Sequence, residues 1–79
     1  HAFAVVSTRA FAETNAALRT QMQALAHLRW VVLPEESEPA LAAYGAPAVL
    51  LRPDRYVHAA PRDGEALRAA IAGLPLRLD

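Results

Sequence analysis

Cysteine is absent from the 79 residues. Its absence removes disulfides, thiolate metal ligands and thiol–disulfide exchange from the chain itself. It also fits a cytoplasmic protein. Glycine occurs three times, at Gly45, Gly64 and Gly73. That spacing rules out a G-x-G-x-x-G turn or any other glycine-rich phosphate cradle. Neither sign of charge is in excess: eight basic residues balance eight acidic ones. With no basic block to meet phosphates and no acidic tail, no nucleic-acid partner is expected. No apolar run approaches the ~20 residues of a membrane span. No basic segment leads into an apolar one as in a signal peptide. No membrane partner is expected either.

What is present is apolar: 54% of the residues are hydrophobic, ample for one core and contrary to disorder. A chain this short makes one small domain, residues 1–79, and buries only about 60% of the surface it exposes when unfolded. The first residue is His1 rather than Met. The expectation is a C-terminal piece of a longer protein or a processed product.

Residues 2–7, "AFAVVS", read as a buried strand. From residue 13 to about 28 the spacing turns helical, with Leu18, Met22 and Leu25 on one stripe flanked by Ala17 and Leu28. Thr8 and Thr14 are alternative N-caps. "WVVL", residues 30–33, is apolar at every position, as in a strand covered on both faces. "EESE" is a solvated acidic loop. Ser37 or Glu38 then caps a short helix over residues 39–44, with Pro39 in its first turn and Gly45 at its end. Residues 48–51 and 56–59 form two further strands, with Arg52-Pro53-Asp54-Arg55 as their hairpin turn. Asp63 caps a last helix over residues 64–72, with Leu67, Ala70, Ile71 and Leu74 on one face. "LRLD" reads as a mobile tail. The order β-α-β-α-β-β-α gives one mixed four-stranded sheet, first two strands parallel and last two antiparallel, with helices on both faces.

That order resembles the thioredoxin-like fold. In "YGAPAVLL", residues 44–51, Pro47 stands where thioredoxins place a cis-proline; a trans proline that begins a strand is the other reading. "AVLLRPDRYVHAAPRDGEALRAAI", residues 48–71, resembles the cysteine-free, thioredoxin-like C-terminal domain of FAD-dependent aromatic hydroxylases, the phenol hydroxylase and 3-(3-hydroxyphenyl)propionate hydroxylase group. Arg52, Pro53, Asp54, Tyr56 and Val57 match, while Arg55 replaces the glycine often found there. The resemblance implies a parent monooxygenase using FAD and NAD(P)H, with its flavin and substrate domains N-terminal to this chain and acting as its partners. No cofactor, metal or catalytic residue is assigned to the chain itself.

Other chemistry is weakly supported. Ser7, Thr8 and Arg9 stand where thioredoxins carry the redox loop; they can cap a helix or hold an anion there. Glutathione transferases, which share this fold, hold glutathione with an acid–serine pair after the fourth strand, but "APRDGEAL" offers no serine, and Asp63 reads as a cap. His1, His27 and His58 lack metal-site spacing, and Ser7 and Ser37 lack a nucleophile elbow. Glu35, Glu36 and Glu38 read as a solvated loop, not a catalytic acid–base pair, and Trp30 as core. Arg52 can pair with Asp54. The fourth strand is an expected sheet edge, open to pairing and to a homodimer. Three functions follow: a non-catalytic hydroxylase domain, a free-standing protein-binding module, or a small ligand-binding enzyme.

Overall fold

The structure is a computed structural model and describes residues 2–25 and 27–74. β1 (Phe3–Ser7) is the pivot of the sheet. It runs parallel to β2 (Leu28–Val32), from Phe3 opposite Leu28 to Ser7 opposite Val32. On its other side it runs antiparallel to β3 (Ala48–Leu51). β3 pairs in turn with β4 (Val57–Ala59), giving the order β2-β1-β3-β4. Leu50 faces Ala59 and Leu51 faces Val57, so His58 is the extra residue of a bulge. With its helices this is the expected thioredoxin-like α/β arrangement.

Strand alternation divides the side chains between two faces. One face carries Val5, Leu28, Trp30, Ala48 and Leu50. It is packed by Phe11 and Ala12 of α1 (Arg9–Thr14), Leu18 of α2 (Ala16–Gln23), and Leu67 and Ile71 of α4 (Gly64–Ala72). Leu74 closes the same cluster, and Met22, Leu25 and Ala70 pack against it, while Ala17 is exposed. The opposite face carries Val49, which is buried although it lies outside that cluster. The segment between β2 and β3 holds a 3₁₀ turn (Glu35–Ser37) and the single-turn α3 (Pro39–Ala42), whose Leu41 is also buried.

Several boundaries differ from the sequence expectation: β1 begins at Phe3, the first helix at Arg9 and β4 at Val57, while β2 spans Leu28–Val32. The long helix is two helices broken at Asn15. There the amide side chain and the backbone N–H both donate to Phe11 O, at 2.9 and 3.0 Å, closing α1, and Asn15 O then accepts from Arg19 N to open α2. A short amide that competes with the helix ladder explains the break. The break also fits α4: a Cβ on Gly64 would lie 2.0 Å from Asn15 Oδ1, so glycine permits the approach. The helical register ends before Leu28, which begins β2. β2 is an edge strand with Arg29 and Val31 exposed, so it is not covered on both faces. The third helix stops at Ala42 rather than residue 44. The expectations for the "LRLD" tail and for His1 lie outside the described residues.

Two of the three helix caps expected from the sequence form. Thr8 Oγ1, rather than Thr14, accepts from Phe11 N at 3.1 Å, and Asp63 Oδ1 accepts from Ala66 N at 2.8 Å. Pro39 is in the first turn of α3, but Glu38, at its N-cap position, makes no side-chain cap bond.

Candidate functional site

Two regions bring candidate residues together. The first is the start of α1, where the fold places a redox loop in thioredoxins. Thr8, Phe11, Asn15, Pro47, Asp63 and Gly64 line a cleft of about 320 Å³ there. Several of its polar groups are already engaged. Thr8 and Asp63 cap helices, and Thr8 N donates to Pro47 O at 3.0 Å. All described peptide bonds are trans, so of the two readings of Pro47 the trans one holds. The anion anticipated at the helix start is intramolecular: Arg9 N donates to Glu38 Oε2 at 3.1 Å. Glu38 thereby ties the acidic loop to α1, and it is only partly exposed.

Ser7 is structural. Its buried hydroxyl accepts from Trp30 Nε1 at 2.9 Å and donates to Thr8 O at 3.0 Å. Trp30 is core, as expected, and its ring lies 6.0 Å from that of Phe11, centroid to centroid. Ser37 and Glu36 belong to the 3₁₀ turn. His27 and His58 are exposed and far apart in the topology, one before β2 and the other in β4. Among the described residues no group of His, Asp and Glu is arranged to hold a metal ion, and no helix is long and apolar enough to cross a membrane.

The second region lies on the sheet face opposite the main core. Ala2, Ala4, Val31 and Leu51 floor a concavity of about 530 Å³, and His27, Arg29, Arg52, Pro53 and Arg55 rim it. The Arg52–Arg55 turn thus forms one wall of a surface that sequence reasoning did not anticipate. The missed signal was alternation in β2, where Arg29 interrupts an otherwise apolar strand.

The turn itself is a three-residue hairpin loop. Arg55 N donates to Arg52 O and Arg52 N donates to Tyr56 O, both at 2.8 Å. Arg52 pairs with Asp54 at 3.0 Å, as expected, and Asp54 Oδ1 also accepts from Tyr56 N at 3.3 Å. Arg55 has φ 71°, the left-handed position that such loops usually give to glycine. A side chain there costs ~1 kcal/mol or more. Arg55→Gly is therefore expected to leave the fold intact and to raise stability by up to about 1 kcal/mol, because relief of strain exceeds the added freedom of the unfolded chain. An unchanged or lowered urea midpoint would contradict this.

β4 is a sheet edge, as expected, but it has only three residues and carries the His58 bulge, which makes it a poor template for strand addition.

Comparison with protein-family models, with curated proteins and with solved structures finds no match in any of the three.

Proposed function

We propose that the chain is a non-catalytic binding domain, the C-terminal thioredoxin-like part of a cytoplasmic FAD- and NAD(P)H-dependent aromatic hydroxylase, and that it works by packing against the parent's other domains or a second copy. The observation that carries the binding role is the bare half of the sheet. Val31 there is 45% exposed and Val57 38% exposed, next to a rim of arginines. Exposed apolar surface inside a polar rim marks interaction sites. Thr8 and Asp63 of the α1 cleft are used as helix caps, and the chain has no thiol to exchange. The hydroxylase parentage is supported by the Arg52–Val57 hairpin and by the fold class.

The alternative, a free-standing cysteine-less thioredoxin-like module that binds other proteins, uses the same face. Reading the coding sequence upstream of His1 separates the two. The expected result is a several-hundred-residue extension that contains a strand–G-x-G-x-x-G–helix segment. A start codon directly before His1 would overturn the hydroxylase reading and leave the module.

A further inference from the structure

The rim of the bare face is specific in its chemistry. The chain contains no lysine, so all eight of its basic residues are arginines. Three of them, Arg29, Arg52 and Arg55, surround this one concavity, with His27 beside them. Among the described residues no carboxylate lines it. Asp54 pairs with Arg52, and among the described residues Arg29 and Arg55 have no ion-pair partner.

The floor is ordered by the sheet register. Arg29 is opposite Ala4, Ala4 is opposite Leu51, and Leu51 is opposite Val57, so one row crosses all four strands on the same face. It begins with a cation and continues apolar. Small side chains at Ala2 and Ala4 keep the centre low.

The backbone adds an independent observation. His27 and Arg55 are the non-glycine residues described with positive φ, at 65° and 71°, and both line this concavity. Each position would be relaxed as glycine and instead carries a cationic or ionisable side chain at a cost of order 1 kcal/mol. Observed strain at a surface concavity points toward function, in that direction of inference.

We propose that this face docks an acidic polypeptide segment in which carboxylates alternate with apolar side chains. Guanidinium forks pair with carboxylates in two-pronged geometry, which a lysine would not reproduce. The apolar floor takes the intervening side chains. The open shape argues against a small ligand, which a binding site normally encloses over most of its surface. The zero net charge and the acidic loop elsewhere on the chain disfavour a nucleic acid. The proposal rests on the reading that the domain acts by binding, and it adds the surface used and the chemistry of the occupant.

The test is fluorescence anisotropy on the 79-residue chain with a labelled, end-capped peptide of alternating Glu and Leu. Saturable binding is expected. It should weaken about tenfold in an Arg29→Gln, Arg55→Gly double variant, and by a similar factor when every Leu of the peptide is changed to Ser. A Lys-for-Glu peptide should not bind, and inorganic phosphate at matched ionic strength should not displace the acidic peptide. The Arg55→Gly turn is unstrained and Arg29 is exposed, so the double variant keeps the fold. Dependence on Arg29, in β2 at the far side of the sheet from β4, also separates face docking from strand addition at the β4 edge.

Absent binding, equal binding of the serine peptide, tighter binding of a single-stranded oligonucleotide, or indifference to the double variant would each overturn the proposal. The upstream coding sequence reports on the parentage alone, so the hydroxylase reading and this proposal fail separately.

Discussion

Leu67→Ala is expected to lower stability by about 2–5 kcal/mol, the range for deleting a buried leucine side chain and leaving a cavity. Leu67 has no exposed surface and sits in α4 over the central strands, within the cluster that includes Val5, Leu50 and Trp30. Small domains hold only about 0.05–0.15 kcal/mol per residue, so the loss is a large fraction of the total. Urea unfolding followed by far-ultraviolet circular dichroism should show a strongly reduced midpoint with little change in slope. Leu67→Met, which conserves volume, should cost less than about 1.5 kcal/mol. If the alanine variant kept its midpoint, α4 would not be packed on the sheet as described.

Ser7→Ala is expected to cost about 1–3 kcal/mol, the penalty for stranding a buried donor. The change removes almost no volume, so the loss reports on one hydrogen bond, Trp30 Nε1 to Ser7 Oγ at 2.9 Å. Trp30→Phe removes the donor as well, but it gives up indole packing against Phe11. In the double variant neither partner is left waiting, and the two losses should sum to more than the observed effect. That non-additivity identifies the bond itself. Tryptophan emission offers a second readout: loss of the indole's hydrogen-bond partner in Ser7→Ala should shift emission to shorter wavelength while the chain remains folded. Strict additivity, or an unshifted spectrum, would remove Ser7 from this role.

The fold was legible because local and long-range signals agreed for most elements. Leu67, Ala70, Ile71 and Leu74 repeat at helical spacing and pack on one side, and Asp63 caps the helix they define. The Pro53-Asp54 pair announces the turn between β3 and β4. The errors arose where a short-range pattern was overridden. Met22, Leu25 and Leu28 continue a helical stripe in sequence, yet His27 takes a left-handed conformation and Leu28 enters the sheet. Asn15 splits the helix by bonding its own preceding turn, a choice tied to the close approach of Gly64, far along the chain.

The candidate face was less legible than the fold. Arg29, Arg52 and Arg55 come from three separate places in the sequence, and only the pairing of β2, β1 and β3 brings them to one side. The tetrapeptide around Pro53 stood out as charged, and its turn geometry was readable. That it forms the wall of a larger surface depends on the strand pairing that sets Leu51 beside Ala4 and Ala4 beside Arg29.

The central position of β1 has a consequence for how the chain acquires its structure. β1 is synthesised before both of its neighbours, and its antiparallel partner ends only at Leu51. Until then Val5 and Val6 have no completed sheet to join. Such distant pairings incur loop-closure entropy before they gain contact energy, which slows folding relative to helical domains of similar size. During synthesis β1 is therefore an apolar strand with both edges open, the species most prone to pair wrongly. Refolding from denaturant should be limited by the arrival of β3 beside β1, and the rate should be sensitive to the length of the segment between β2 and β3.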